Sequence, residues 1–282
     1  MTEPTSIDRA VIAARLQGYL GQPAAAVDIL SEALAENPGE IHLLRYRGHR
    51  RITLRDFDGA IDDLREAAAQ IPDVPDELEL YQNRVAPDAV NLVLGRSLAL
   101  PHFPRVEDVE DAAAADYMTS LHAAIWYHLG VAEYVSGDLA AAAGTFARSF
   151  DASLHYEGKV ASLDWQYMAL RRLGRDGEAA ALLDTFASVQ HEWDAAGEGY
   201  DQRMRLYAGT LEADALRSEI TGSAILTATL GYGLGNWYLY SGDVEAADAV
   251  FQDVLATGAD AAFAYIAVES EIAGRGDLGI PA

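Results

Sequence analysis

The sequence contains no cysteine, which excludes disulfides, thiolate metal sites and cysteine nucleophiles. Basic residues are also scarce. Lys and Arg total 20 against 44 Asp and Glu, and Lys159 is the only lysine. The net charge of -24 disfavours nucleic acid or an anionic membrane as the general partner, because the long-range electrostatic field would repel both.

Long hydrophobic runs are missing as well. No stretch approaches the ~18 uninterrupted apolar residues of a membrane-spanning helix, and the N-terminal segment MTEPTSIDRA lacks the apolar core of a signal peptide. We therefore expect no membrane insertion. The sequence as it stands predicts a cytoplasmic location, whereas removal of an export signal from a longer precursor would predict a periplasmic or exported protein.

The most informative stretch is WYHLGVAEYVSGDLAAAAGTF, residues 126–146. An apolar helical face begins at Trp126 and is interrupted at Gly137, which tolerates the left-handed backbone conformation that ends many helices. A second helical face follows, with Ala142 and Phe146 on one side. The stretch therefore predicts two helices joined by a tight turn.

A period of 34 residues recurs near the N-terminus. It separates equivalent small residues, and it also separates the two prolines that end predicted helices. Proline ends a helix because it lacks the N–H that a helix requires. The equivalent pairs are Ala26 and Ala60, Ala33 and Ala67, and Pro38 and Pro72.

This order of Trp, Leu-Gly, a Gly-Asp turn, small Ala and Phe resembles the tetratricopeptide repeat (TPR) family. The resemblance implies an all-α solenoid, a right-handed superhelix of antiparallel helix pairs. The C-terminal half also resembles bacterial TPR adaptor lipoproteins, although their lipidated cysteine is absent, and the whole chain resembles bacterial TPR proteins of unassigned function.

The repeat pattern divides the chain into four parts. An N-terminal TPR pair spans 7–74, an acidic irregular insert spans 75–122, further TPR units span 123–261 with a degenerate unit at 190–227, and a capping helix and tail span 262–282. Within the insert we predict helices over 89–100 and 106–118, separated by a rigid loop, LPHFP. The insert is either an irregular TPR unit with a connector or an element that folds across the array and lines or occludes its groove.

Function is expected in the concave groove, which the TPR resemblance assigns to the first helix of each pair. The register of one repeat also places Asp164 there. The candidate ligand-binding residues are His42, Arg45, His49, Tyr127, Tyr134, Arg171, Arg172, Tyr232, Asn236 and Tyr240.

The basic residues near His42 allow two interpretations. Five arginines fall within residues 45–55, and Arg45 with His49 would suit an anionic group because guanidinium donates paired hydrogen bonds. Alternatively, these arginines pair with the acidic insert or with Asp58, Asp62 and Asp63. The groove tyrosines would similarly serve either ligand contact or packing between repeats.

Trp126 and Trp237 are assigned to the core. Enzyme motifs are weak, so we predict no enzymatic activity, cofactor or metal. His191-Glu192 lacks the second histidine of a zinc protease, and GYGLG at 231–235 lies within a predicted helix.

The leading hypothesis is a noncatalytic scaffold that binds a peptide or partner protein, with or without an anionic group, in the groove. An alternative is a protein that binds a small molecule or anion, or an enzyme, with its pocket closed by the 75–122 insert. Self-assembly into a homo-oligomer is a third hypothesis.

Overall fold

The computed structural model describes residues 3–110, 117–189, 199–220 and 222–277. Within these ranges the chain forms fourteen α-helices and one two-stranded sheet, so the all-α prediction is confirmed at the level of fold class. The chain divides into two compact units, 1–132 with 151–154 and 133–150 with 155–282.

The first unit contains short helices, and tight turns join the first four of them. They are α1 (Ser6–Tyr19), α2 (Pro23–Glu36), α3 (Ile41–Thr53), α4 (Phe57–Ala68) and α5 (Val85–Val93). Consecutive helices from α1 to α4 pack against each other, and α1 also contacts α3 and α5.

Local sequence explains where these helices begin. Thr5 and Asp8 form a reciprocal capping box at the start of α1, and Pro23 occupies the first turn of α2. The Glu40 carboxylate accepts the Leu43 N–H at 2.8 Å, and Asp56 caps α4. Each cap satisfies a backbone donor that the helix itself leaves unpaired.

The chain passes from the first unit to the second within α6 (Leu121–Ser136), and α7 (Leu139–Ala152) follows the predicted turn at Gly137, where φ is +92°. The second unit continues with α8 (Tyr156–Arg172), α9 (Asp176–Val189), α10 (Tyr200–Tyr207), α11 (Ala213–Glu219), α12 (Ala224–Tyr240), α13 (Val244–Ala256) and α14 (Phe263–Asp277). The two short helices predicted around Gly209 are α10 and α11, and the predicted C-terminal helix is α14.

The insert differs from its prediction. Helix α5 ends at Val93, so the helix predicted over 89–100 is wrong beyond that residue. The helix predicted over 106–118 is wrong at both ends, where Val106–Asp108 forms a 3-10 turn and Tyr117–Ser120 forms strand β2. Its middle, 111–116, lies outside the described residues. Strand β2 pairs antiparallel with β1, Leu78–Leu80. Pairing with a distant segment has prevailed over local helical propensity.

The core assignment of the two tryptophans is met only in part, since Trp237 packs against a buried cluster of the second unit. Trp126 and Trp237 are half-buried, whereas Trp165 is completely buried. Trp165 contacts Tyr134, Phe146 and Tyr232 in the core of the second unit.

Gly48 lies at a close approach between α3 and α4. A Cβ atom there would stand 2.6 Å from Leu64 Cγ, below any normal contact distance. We predict that Gly48→Ala lowers the free energy of unfolding by about 1–3 kcal/mol, because Leu64 has to shift within a packed interface. Gly144→Ala is the matched control, since no heavy atom lies within 4 Å of its added Cβ apart from its chain neighbours and the nearby backbone of its own helix. Thermal denaturation should leave this control as stable as the original chain or more stable, and equal losses would contradict the close-approach argument.

Candidate functional site

Helices α1 and α3 present charged side chains to the insert within the first unit. Arg45 Nη2 of α3 donates to Glu79 Oε2 of β1 at 2.6 Å, and Arg15 Nη2 of α1 donates to the carbonyl oxygen of Leu80 at 2.8 Å. Arg45 and Glu79 are 2% and 1% exposed, so neither charge is compensated by water. The strand is therefore anchored by its backbone and by an acidic side chain.

His42 contacts Glu77, the residue immediately before this strand. Its Nδ1 lies 2.8 Å from Glu40 Oε1, and its Nε2 lies 2.8 Å from Glu77 Oε2. Burial alone would lower its pKa, but the hydrogen bonds and charges of both carboxylates raise the pKa of His42 to about 9. The ring is thus a cation at neutral pH, and it lies 4.0 Å between centroids from the Phe103 ring of the insert, tilted by 35°.

His49 has a different electrostatic role from Arg45. Burial and the nearby charges of Arg50, His128 and Arg45 lower the pKa of His49 well below its ordinary value. Its ring packs 4.3 Å from the buried His128 ring, whose pKa is also lowered by burial. Neutral imidazole supplies hydrogen bonds but no positive charge to an anionic group.

Arg50 adds another buried guanidinium to this part of α3. Burial and the charges of Arg45 and Arg15 lower its pKa to about 10. In the part of the chain that the structure describes, Glu79 is the one carboxylate in ion-pair contact with any of these three arginines. A Cβ added at Gly18 would stand 2.5 Å from Arg50 Nη1, so glycine makes room for that side chain.

The remaining basic residues of α3 pair with α4. Arg47 Nε and Nη2 donate to the two Asp63 carboxylate oxygens at 2.8 and 2.6 Å, and Arg51 Nη1 lies 3.0 Å from Asp63 Oδ2. Together with the Arg45–Glu79 contact, these are the pairings that the second interpretation of the arginine cluster expected. Tyr127 is half-buried in this unit, with its ring edge-on to His128.

The second unit holds the other candidate residues, and several contact each other. Tyr134 and Tyr232 are buried with their hydroxyl oxygens 2.8 Å apart. Asn236 is also buried, and its Nδ2 donates to the Tyr232 carbonyl at 2.9 Å. Tyr240 lies 3.3 Å from Asn236 Oδ1. These contacts of Tyr134 and Tyr232 are packing contacts within the second unit.

Arg171 and Arg172 are partly exposed at the end of α8. The Arg171 guanidinium lies over the Tyr240 ring at 4.7 Å and pairs with Asp176 at 2.9 Å. Arg172 lies over Tyr134 and pairs with Glu271 of α14 at 3.0 Å. Both arginines therefore already have anionic and aromatic neighbours within the unit.

The sequence did not identify Arg203, which pairs with the predicted groove residue Asp164. Arg203 Nη2 lies 2.7 Å from Asp164 Oδ2, and both side chains are completely buried. Burial raises the pKa of Asp164 to about 7, despite the opposing influence of Arg203. Arg203 lies in the short helix of the degenerate unit, where no repeat register could align it with Asp164.

A cleft of about 310 Å³ opens beside His42 in the first unit. Its charged lining comes from the segment before α1, the starts of α1 and α3, and the insert, and consists of Glu3, Asp8, Glu40, His42 and Glu77. His102 and Phe103 of the predicted LPHFP loop complete it. The sequence predicted that His102 and Phe103 lie in a rigid loop. It did not predict that this loop lies beside His42.

A second cavity, of about 150 Å³, lies in the second unit and is lined mainly by apolar side chains. Among the described residues, no group of three His, Asp or Glu side chains could hold a metal ion, and no helix is long and apolar enough to cross a membrane. The pair His191-Glu192 lies outside the described residues.

Comparison of the chain with protein-family models found no match, and comparison with curated proteins found none either.

Proposed function

We propose that the chain is a noncatalytic scaffold of TPR type that binds an extended, acidic segment of a partner on the face formed by α1 and α3. Support for the architecture comes from consecutive packed helices, the 34-residue spacing and the turn glycines with positive φ. Such a scaffold binds through side chains of its helices and needs no catalytic group.

One observation carries the binding proposal: the extended segment 77–80 of the insert is itself held on this face. His42 contacts Glu77, Arg45 contacts Glu79, and Arg15 donates a hydrogen bond to the Leu80 carbonyl oxygen. Carboxylates and a main-chain carbonyl are the groups that an acidic peptide from a partner would offer. The insert therefore serves as an internal example of the proposed ligand.

A tethered segment competes strongly with any partner. Its attachment to the chain gives it an effective concentration on the order of millimolar. A partner must displace the segment or bind when the segment is released. Binding of a separate peptide is therefore easiest to detect in a variant whose own segment is held less tightly.

Glu79→Gln provides that condition. We predict that it lowers the free energy of unfolding by about 1.5–3 kcal/mol, because Arg45 stays buried without a charged acceptor. The octapeptide PDELELYQ, which copies residues 75–82, should raise the melting temperature of this variant in a concentration-dependent manner, since a ligand of the folded state stabilises it by mass action. Differential scanning calorimetry measures both effects.

Two controls separate recognition from general effects. The peptide PDQLQLYQ lacks both glutamates and should not restore stability. The double variant Arg45→Gln/Glu79→Gln removes both charges and should not respond to PDELELYQ. The proposal fails if the two peptides act equally, or if neither changes the melting temperature of Glu79→Gln.

The cleft beside His42 favours a second candidate function, the binding of a small molecule in a pocket that the insert helps to form. The specific observation is its volume of about 310 Å³, which falls at the lower end of the range for ligand sites.

A further inference from the structure

Three neighbouring helices of the second unit line the cavity of about 150 Å³, here called the α12 cavity. Thr227, Gly231 and Leu234 of α12 share one face of that helix, because they are spaced four and three positions apart. Helix α13 contributes Val250 and Val254 from one of its own faces, and the end of α11 completes the lining.

The base of the α12 cavity is apolar. Leu234, Val250 and Val254 are almost completely buried, and Ile220 adds further hydrocarbon surface. An apolar cavity of about 150 Å³ can hold a molecule of the size of benzene. The α12 cavity therefore has room for an apolar group of about six carbon atoms.

Each of the three helices also contributes one polar side chain to the lining. Arg217 comes from α11, Thr227 from α12 and Asp253 from α13. Arg217 and Asp253 are exposed, so they lie at the opening of the cavity. Within the described part of the chain neither of them forms an ion pair, and Arg217 contacts the Tyr238 ring at 5.9 Å. Two opposite charges thus line one opening without pairing with each other.

These charges restrict the class of ligand. The net charge of -24 and the Asp253 carboxylate repel an anion such as a fatty acid. A simple ammonium ion would in turn be repelled by Arg217. A zwitterion suits both residues, because its carboxylate can accept the paired N–H donors of Arg217 and its ammonium can donate to Asp253.

We propose that the α12 cavity binds a free α-amino acid with an aliphatic or aromatic side chain. The apolar side chain enters the base of the cavity, while the carboxylate pairs with Arg217 and the ammonium with Asp253. The Thr227 hydroxyl supplies a further hydrogen bond between these charges. This site belongs to the second unit and the α1 and α3 face belongs to the first, so the two proposals are independent.

Isothermal titration calorimetry on the full chain tests the ligand class. L-Leucine and L-phenylalanine should bind, and L-alanine should bind at least about tenfold more weakly because it buries fewer carbon atoms. N-Acetyl-leucine lacks the ammonium and leucine amide lacks the carboxylate, so each should also bind about tenfold more weakly than leucine. Equal affinity for alanine or for either blocked compound would overturn the proposal, as would no binding of leucine and phenylalanine at millimolar concentrations.

Two variants at the opening locate the charges that hold the ligand. Arg217→Gln and Asp253→Asn should each weaken leucine binding about tenfold, corresponding to the loss of one charge-assisted contact. Arg217→Gln should leave the affinity for leucine amide unchanged, because that compound has no carboxylate to lose. Asp214→Asn is the matched control, since this residue is exposed on α11 and does not line the cavity. A loss in Asp214→Asn as large as in Asp253→Asn would contradict the assignment.

Val250→Leu tests the base of the cavity. The added methylene group occupies existing space, so the melting temperature should stay the same or rise. Leucine binding should weaken severalfold, because the ligand competes for that space. Unchanged affinity would place the binding elsewhere, and a lower melting temperature would show that the base has no free space. Either result contradicts the proposal.

Discussion

Trp165→Ala is expected to lower the free energy of unfolding of the second unit by about 3–5 kcal/mol. Trp165 is completely buried, with its ring edge-on to Tyr134 at 5.0 Å and stacked on Phe146 at 6.0 Å. Tyr232 lies on another side at 5.8 Å. Alanine would remove the aromatic contacts and leave a cavity that three large rings cannot close without shifting.

Trp237→Ala is the matched control for this prediction, because it removes the same side chain from a half-buried position in the same unit. Its loss should be clearly smaller, since much of the indole surface already contacts water. Chemical denaturation followed by circular dichroism measures both variants. A loss for Trp237→Ala as large as for Trp165→Ala would contradict the assignment of the core.

The sequence predicted local features well because local physics determines them. Gly137, Gly174 and Gly242 fall at turns with positive φ, where side chains other than glycine are strained. The repeat spacing located Ala26 and Ala60, both completely buried on their helices. Periodicity identifies an apolar face but does not rank residues on it, so it could not choose Trp165 over Trp126 or Trp237.

The insert was harder to predict because its structure depends on distant partners. The segment Leu78–Leu80 is only three residues long, and its strand exists through pairing with Tyr117–Ser120 and through contacts to α1 and α3. Charge counts were compatible with two partners for Arg45, an external anion or the insert. They could not decide between these two partners. The Arg45–Glu79 contact spans 34 positions that no short-range pattern connects.

Arg203 illustrates the same limit for the second unit. It lies 39 positions after Asp164, beyond a stretch with a weak repeat signal. An arginine in an eight-residue helix of polar composition suggests an exposed side chain, yet Arg203 is completely buried. Tertiary contacts with Asp164, Met168 and the Thr229 carbonyl determine its position.

The Asp164–Arg203 pair leads to a prediction about pH. Burial raises the pKa of Asp164 from an ordinary value of 3.8 to about 7 in the folded protein. The folded state therefore binds a proton more tightly than the unfolded chain, and the stabilising contribution of Asp164 is complete below about pH 4. It is lost as the pH rises through about 7. The pKa difference corresponds to about 4 kcal/mol in the free energy of unfolding.

Asp164→Asn removes this titration while keeping the shape of the side chain. The original chain loses stability over this range and the variant does not. We therefore expect the free energy of unfolding of the variant, minus that of the original chain, to increase by about 4 kcal/mol between about pH 4 and pH 8. Asp184→Asn on α9 is the control, because it makes the same chemical change at an exposed position. Urea denaturation across the pH range measures both differences. A pH-independent difference for Asp164→Asn would mean that Arg203 keeps Asp164 ionised throughout, and that attraction within the pair outweighs the burial of its charges.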